Sequence, residues 1–233
     1  MLPRRPRLVT FDGFGTLFPA DQATSEAVME DILATNDLDT TPEVLGQRWW
    51  ELSYKVATSG FVTVREATRR ALGLLLEEAG VRDDPVPYAD RLLEGWASGD
   101  PYPEVAAALD ALAEFDLGIV SNVDDDVLDL LLERSGLRDR FVVVVTSEVC
   151  RAYKPDPALF RRALRAAGRD PEHALHLGDS PVDDILGPKR VGMMAGWINR
   201  RDETLRGKIP EPDLVAPDLL EAAKVIRSAS QAP

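Results

Sequence analysis

Cysteine is nearly absent from this sequence of 233 residues, in which Cys150 is the only one. A single cysteine cannot form an internal disulfide, so the class of small domains that disulfides hold together is excluded. Long apolar runs are absent as well, and the run that follows Arg4-Arg5-Pro6-Arg7 is too short for a signal peptide. We therefore expect a soluble protein of the cytoplasm.

Positive charge is also scarce. The chain has 27 lysines and arginines against 40 aspartates and glutamates, which gives a formal net charge of -13. Such a field repels phosphates, so we expect neither a nucleic acid nor an anionic membrane as a partner. We expect a small-molecule substrate, and an anionic one would need cations supplied locally at its site. The sequence leaves a monomer and a homodimer equally open.

The apolar residues, which make up 45% of the chain, suffice for a substantial core. The first short apolar run stops at Asp12 and breaks into a turn that contains Gly13 and Gly15. Helical periodicity then dominates residues 20–98, and alternating helices and strands follow. We predict an α/β fold with a doubly wound, mostly parallel sheet from residues 1–19 and 99–233, and a small all-helical cap domain at 20–98.

The later strands are predicted from short, continuous apolar runs of the kind that parallel sheets bury. The last strand is expected at residues 193–198, and a closing helix at 217–226. Three earlier strands are expected between the cap and the last strand, at residues 117–120, 141–145 and 174–177.

Polar side chains follow the predicted strands. Because the carboxyl ends of parallel strands meet at one edge of a sheet, these side chains could come together although they are far apart in sequence. His176 lies inside a predicted strand and is expected to be a core histidine, and the acids at 124–126 are expected to cap the helix that follows them. The strand-end groups are Asp12, Ser121 with Asn122, Lys154, and Asp179 with Asp183 and Asp184.

The segment Asp12-Gly13-Phe14-Gly15-Thr16-Leu17 resembles the first motif of the haloacid dehalogenase superfamily, Asp-x-Asp-Gly-Thr-Leu, with Phe14 replacing the second Asp. The other strand-end groups match the remaining motifs in order, over almost the whole chain. The resemblance implies a hydrolase whose nucleophile is Asp12. It also implies that Lys154 neutralises this nucleophile, that Thr16 and Ser121 donate hydrogen bonds to the transferring group, and that Asn122 belongs to the same catalytic set.

The resemblance further implies a cofactor, Mg²⁺, held by Asp12, the backbone carbonyl of Phe14 and Asp179. Asp184 or its neighbour Asp183 would be a direct or indirect partner of the ion, because hard oxygen ligands suit it. The substrate would then be a small phosphorylated molecule. Since Phe14 cannot transfer a proton, that substrate would need a good leaving group.

Two other interpretations remain open. Haloacid dehalogenases themselves need no metal, have an aromatic residue two positions after the nucleophile and present a cap arginine to the halide; Phe14 and Arg48 would take those places. Their fourth motif, however, has Ser where this chain has Asp179, and Asn where it has Pro181. The third interpretation is a catalytically degenerate binding module, and Phe14 is its best evidence.

Overall fold

One six-stranded sheet is formed in the computed structural model, which describes residues 2–20 and 22–230. Its strand order is 3-2-1-4-5-6, and each neighbouring pair is parallel. The predicted doubly wound parallel sheet is thereby confirmed. The strands are β1 (Leu8–Phe11), β2 (Asp116–Ser121), β3 (Val143–Thr146), β4 (Ala174–Gly178), β5 (Met194–Ile198) and β6 (Leu214–Ala216).

Strand β1 lies at the centre of the sheet. Leu8 pairs with Asp116 of β2 on one side and with Ala174 of β4 on the other. All four residues of β1 are buried, as its apolar composition requires. The strand order changes direction between β1 and β4, and in open α/β sheets ligands bind at the carboxyl ends of strands at such a point. Asp12 and Asp179 each follow one of these two strands.

The sequence prediction was wrong about the last strand, because β6 follows β5. Strand β6 has three residues and pairs with β5 through Gly196 and Leu214. Its middle residue, Val215, is exposed, while Leu214 and Ala216 are buried. A run this short has no apolar pattern of its own, so only the pairing with β5 reveals it.

Four helices occupy most of residues 20–99, namely α1 (Gln22–Asn36), α2 (Pro42–Thr58), α3 (Val64–Glu78) and α4 (Pro85–Ser98). Three of them begin at a side chain that accepts from a backbone N–H of the first turn: Thr41, Thr63 and Asp84. Their inward faces form one apolar core, which explains the helical periodicity of this part of the sequence.

The remaining α-helices lie between the strands or follow the last of them. They are α5 (Val105–Ala111), α6 (Asp125–Arg134), α7 (Ser147–Cys150), α8 (Pro157–Ala167), α9 (Gly187–Lys189) and α10 (Leu219–Ser230), with a π-helical turn at Pro181–Leu186. Helix α8 starts at the capping side chain of Asp156 and ends at Gly168, whose φ of 61° is left-handed. None of the described helices has both the length and the apolar composition that crossing a bilayer requires.

The chain divides into two compact units, as far as it is described. One contains Met1–Pro19, Asp100–Asn122 and Leu132–Pro233, and the other contains Ala20–Gly99 together with Val123–Leu131. Asp124 accounts for this addition to the helical unit: its buried carboxylate accepts from the backbone N–H groups of Val64 and Arg65, at 2.6 and 2.8 Å. The sequence predicts that the acids at 124–126 lie at the start of the helix that follows them, and Asp125 and Asp126 do begin α6. The side chain of Asp124 instead caps α3.

We expect Phe160→Ala to lower the free energy of unfolding by about 3–5 kcal/mol, because the ring is fully buried and its removal leaves a cavity. The ring of Phe160 also packs edge-to-face on His176, with centroids 5.1 Å apart. Urea unfolding measures this loss. The exposed Val142→Ala is the control, and we expect it to change stability by less than about 0.5 kcal/mol. Equal effects of the two substitutions would contradict this account of the core.

Candidate active site

Asp12 lies at the carboxyl end of β1 and is almost completely buried. Its Oδ1 accepts a hydrogen bond from the Ser121 hydroxyl at 2.9 Å and one from the Lys154 ammonium at 2.5 Å. Neither of these bonds falls on Oδ2. The hydroxyl of Ser121 also accepts from the backbone N–H of Gly13, so β2 fixes the turn that follows Asp12. One carboxylate oxygen of Asp12 is therefore anchored by both of these side chains.

Lys154 brings a buried positive charge to this edge of the sheet. Its ammonium contacts Asp184 Oδ1 at 2.7 Å as well as Asp12. Burial alone would lower the pKa of Lys154, but the two carboxylates outweigh it and raise the pKa above its ordinary value. Asn122 holds the backbone of Lys154, because its Oδ1 accepts from the Lys154 N–H at 2.7 Å. In this structure Asn122 therefore positions the lysine.

Asp184 is fully buried and its two oxygens already accept from the protein. Oδ1 accepts from Lys154 and contacts His176 Nε2 at 3.1 Å, and Oδ2 accepts from the Ser180 N–H at 2.9 Å. Burial would raise the pKa of Asp184, yet Lys154 and His176 together hold it below its ordinary value. Asp184 is thus an ionised group that keeps the lysine in place.

His176 is buried in β4, as the sequence predicts, and it also supports the site. Burial lowers its pKa, so the ring is neutral at neutral pH. An ionised Asp184 can only accept, so we assign the ring proton to Nε2 and let Nδ1 accept from the Thr10 hydroxyl at 2.9 Å. Thr10 of β1 and His176 of β4 therefore form a series of hydrogen bonds that orients Asp184.

Asp179 completes a cluster of three carboxylates. One oxygen from each of Asp12, Asp179 and Asp184 lies within 4.8 Å of the others. Burial, followed by the charges of Asp12 and Asp184, raises the pKa of Asp179 to about 7. Burial and Asp184 also raise the pKa of Asp12, although Lys154 opposes them. One ammonium does not balance three carboxylates, and oxygen donors this close together fit a divalent cation.

Two glycines make room for these acids. A Cβ on Gly15 would lie 2.3 Å from Asp179 Oδ2, and a Cβ on Gly178 would lie 2.1 Å from the Asp184 carboxyl carbon. Gly15 also has a φ of 84°, which other residues rarely adopt. Asp183 lies outside the cluster, and burial raises its pKa to about 7 as well. The geometry therefore groups Asp184, and not Asp183, with the other two carboxylates.

The turn after Asp12 is held by an arginine that the sequence analysis did not include in the site. Arg200 donates to the backbone carbonyls of Gly15 and Thr16 at 3.1 and 2.9 Å, and to the Glu104 carboxylate at 2.7 Å. Its guanidinium stacks on Tyr102 at 3.6 Å from the ring centroid. Arg200 thereby fixes the backbone that carries Phe14 and Thr16.

Thr16 and Phe14 differ in how they use this turn. The Thr16 hydroxyl is buried and makes no hydrogen bond within the described part of the chain. Phe14 is half-buried, and its backbone forms an isolated β-bridge with Phe18 across the turn. A buried hydroxyl without a partner is costly unless a ligand satisfies it, so Thr16 is available to donate to a bound group.

Arg48 lies on α2 in the helical unit. Its guanidinium donates to both carboxylate oxygens of Glu78, each at 2.8 Å, and to Glu51 at 2.7 Å. These partners are half-exposed side chains of the same unit. Arg48 would have to leave them before it could bind an anion, and its assignment to the substrate stays a prediction.

Sequence reasoning thus missed Arg200, Tyr102 and Glu104, and it treated His176 only as core. The available signal was position: Arg200 follows β5, whose carboxyl end lies at the same sheet edge as Asp12 and Asp179. Trp197 of β5 gives a second contact of this kind, because its Nε1 donates to the Asp179 carbonyl at 3.0 Å.

Comparisons with known proteins agree on one protein family. The model of the haloacid dehalogenase-like hydrolases matches residues 6–192. Haloacid dehalogenase-like hydrolase domain-containing protein 3 of Homo sapiens is 29% identical over 227 residues, which cover 90% of this chain and 89% of that protein. Phosphoserine phosphatase of Thermus thermophilus is 38% identical over 124 residues, or 52% of this chain and 49% of that protein.

Solved structures agree in fold. L-2-haloacid dehalogenase from Xanthobacter autotrophicus has a TM-score of 0.80 at 23% identity and covers 95% of this chain and 98% of its own. A 2-haloacid dehalogenase from Pseudomonas syringae has a TM-score of 0.68 at 31% identity, over 96% of this chain and 99% of its own. Similar proteins therefore include both a phosphatase and dehalogenases.

We expect the metal-free protein to lose stability as the pH rises, and Asp179→Asn to reduce that loss. The carboxyl group of Asp179 ionises near pH 4 in an unfolded chain, but its pKa is about 7 in the folded protein. Between these values the folded state binds the extra proton, so its stability falls with increasing pH. In EDTA, the stability advantage of the variant over the original protein should be larger at pH 8 than at pH 5, by about 1–3 kcal/mol.

Urea unfolding at the two pH values measures this difference. Some dependence on pH should remain in the variant, because the pKa of Asp183 is raised in the same direction. Asp202→Asn, at an exposed position outside the cluster, is the control. An Asp179→Asn variant whose stability changes with pH as much as that of the control would contradict the crowding of carboxylates.

Proposed function

Because the chain belongs to the haloacid dehalogenase-like hydrolase family, we propose that it is a Mg²⁺-dependent hydrolase of a small phosphorylated molecule with a good leaving group. The observation that carries this proposal is the cluster of Asp12, Asp179 and Asp184 around the single cation of Lys154. A carboxylate nucleophile and a phosphoryl dianion repel each other, so this chemistry needs more positive charge than the lysine supplies.

The donor set fits Mg²⁺, which would be held by Asp12, Asp179 and the backbone carbonyl of Phe14. When bound, this ion neutralises the charge between the nucleophile and the phosphoryl oxygens. Asp184 would act through Lys154, because its oxygens already accept from Lys154, His176 and the Ser180 N–H. Arg200 would hold the carbonyls of the turn, since it binds the two that follow Phe14.

Asp12 is the proposed nucleophile. Ser121 and Lys154 anchor its Oδ1, so Oδ2 would attack phosphorus while the bond to the leaving oxygen breaks. This step gives an aspartyl-phosphate, which water then hydrolyses to phosphate and free Asp12. Thr16 would donate its unpartnered hydroxyl to a phosphoryl oxygen. The single hydroxyl proton of Ser121 is used in the hydrogen bond to Asp12 Oδ1. In this structure Ser121 therefore orients the proposed nucleophile.

The side chain at position 14 restricts the substrate. A phenyl ring cannot protonate the leaving oxygen or activate water, and such proton transfer contributes about 10²–10⁴ in rate. We therefore propose leaving groups that depart without a proton, as in acyl or aryl phosphates.

Metal-independent dehalogenation of a 2-haloacid is the second candidate, and Phe14 is the observation that favours it. Asp12 would then displace halide from carbon and form an ester, and Arg48 would receive the halide. Asp179 argues against this reaction: without a cation, two carboxylates as close as Asp12 and Asp179 cannot both ionise readily.

The two candidates make opposite predictions about metal. We expect p-nitrophenyl phosphate to be hydrolysed with Mg²⁺ and not with EDTA, because its leaving group needs no protonation. We expect no chloride release from L-2-chloropropionate in either buffer. Chloride release that is unaffected by EDTA would overturn the phosphatase proposal in favour of dehalogenation. Tight Mg²⁺ binding without turnover of any substrate would favour the binding module.

Asp12→Asn tests the nucleophile in the same assay. We expect it to lower turnover at least about a thousandfold, because Asn cannot form the covalent intermediate. Asp156→Asn is the matched control: it makes the same chemical change at the start of α8, where Asn also caps well. Retained turnover in Asp12→Asn would remove Asp12 from its role.

Phe14→Asp tests the argument about the leaving group. With an acid at position 14, we expect hydrolysis of an alkyl phosphate to rise about 100-fold relative to hydrolysis of p-nitrophenyl phosphate. Phe14→Asn is the matched control, since it has the same shape without the acid. The same ratio in both variants would show that proton transfer at position 14 does not limit the reaction.

A further inference from the structure

The run Arg4-Arg5-Pro6-Arg7 has no part in the proposed chemistry. It leads directly into β1, whereas Asp12 leaves the other end of that strand. At about 3.3 Å per residue, Arg7 and Asp12 are roughly 16 Å apart along the strand. The arginine run therefore lies at the sheet edge opposite to the carboxylate cluster.

A cavity of about 530 Å³ lies at this opposite edge. Its volume is in the range that small-molecule sites have in proteins. Four arginines line it together with one histidine, although the whole chain has a net charge of -13. These residues are Arg4, Arg5, Arg7, Arg169 and His173.

Only part of this positive charge is balanced within the cavity. Arg5 pairs with Glu114 at 2.8 Å, and Arg169 pairs with Asp116 at 2.6 Å. These are the two carboxylates of the lining. Within residues 2–20 and 22–230, no carboxylate forms an ion pair with Arg4 or Arg7. The cavity thus has an excess of two positive charges in an acidic protein.

The backbone at Arg7 is fixed to the sheet edge. Its N–H donates to the His173 carbonyl at 2.7 Å, and its carbonyl accepts from the Asp116 N–H at 3.0 Å. Asp116 and His173 belong to the segments that begin β2 and precede β4. The arginine is therefore attached to a rigid part of the fold, and its guanidinium can face a ligand at little cost in backbone order.

We propose that this cavity binds a small phosphate-bearing dianion. Guanidinium groups match the oxygens of phosphate in a bidentate geometry, and two unpaired arginines balance a dianion. The exposure of the arginine side chains keeps the site open to solvent, which suits a soluble ligand that binds reversibly. The shared chemistry is the phosphate group, which either inorganic phosphate or a phosphate monoester could supply.

Isothermal titration of the full chain with inorganic phosphate and with phenyl phosphate, in low salt with EDTA, tests the proposal. EDTA leaves the carboxylates of Asp12, Asp179 and Asp184 to repel an anion from the catalytic edge. We expect one saturable site per chain. Tighter binding of phosphate would identify the free anion as the preferred ligand, and tighter binding of phenyl phosphate would identify the monoester.

Two double variants distinguish binding in this cavity from non-specific electrostatic attraction to the surface of the protein. We expect Arg4→Gln/Arg7→Gln to weaken binding at least about tenfold, because both unpaired guanidiniums are lost. Arg161→Gln/Arg165→Gln removes the same charge from a neighbouring surface that shares only Arg169 with the cavity, and we expect less than about a twofold change. Arg7→Lys keeps the charge without the forked geometry and should give an intermediate loss.

The result that overturns the proposal is equal weakening by the two double variants, or no saturable binding of either probe. Thermal unfolding of each variant shows whether it is folded, and all four arginines changed here are exposed. Hydrolysis of p-nitrophenyl phosphate should be unchanged in Arg4→Gln/Arg7→Gln, since neither residue belongs to the catalytic edge. Failure of the proposed reaction would therefore leave this binding test unaffected.

Discussion

The contacts of one buried ammonium group hold two acids of the carboxylate cluster together. Lys154 lies 2.5 Å from Asp12 and 2.7 Å from Asp184, and both acids are buried. Removal of one partner from such a buried pair typically costs about 3–5 kcal/mol, because the remaining charge stays without compensation. Asn122 fixes the lysine from its backbone, and His176 fixes Asp184. The position of Asp12 thus depends on residues from several separate parts of the chain.

This arrangement separates the tasks of the acids. Asp184 is saturated by the protein and serves the lysine. Asp179 forms no ion pair among the described residues, and burial, followed by the charges of Asp12 and Asp184, raises its pKa. Asp12 is intermediate between these two acids, because Ser121 and Lys154 both donate to its Oδ1 and neither donates to its Oδ2. The acid that the protein leaves least satisfied is the one best suited to hold a cation, and the proposed function assigns a cation to it.

Much of this could be predicted from the sequence, because strand ends are marked by apolar runs that stop at polar residues. Asp12, Ser121 and Asp179 came together as that rule requires. Lys154 also reaches Asp12, but it comes from the segment after α7 and not from the end of β3, where the sequence analysis had placed it. The rule could not distinguish Asp183 from Asp184, because that choice depends on the path of the π-helical turn at Pro181–Leu186. It also could not find Arg200, whose role consists of bonds to backbone carbonyls, and these leave no trace in residue type. Strand β6 was missed because three residues are too few to show a pattern.

The central place of β1 in the sheet has a consequence for the order in which the protein can be built. Leu8 pairs with Asp116 on one side and with Ala174 on the other, so β1 leaves the ribosome before either of its partner strands has been made. Pairings this distant in sequence form slowly, whereas the contacts among α1, α2, α3 and α4 are local. The helical segment can thus assemble during synthesis, while the apolar run before Asp12 stays exposed to other nascent chains and to chaperones.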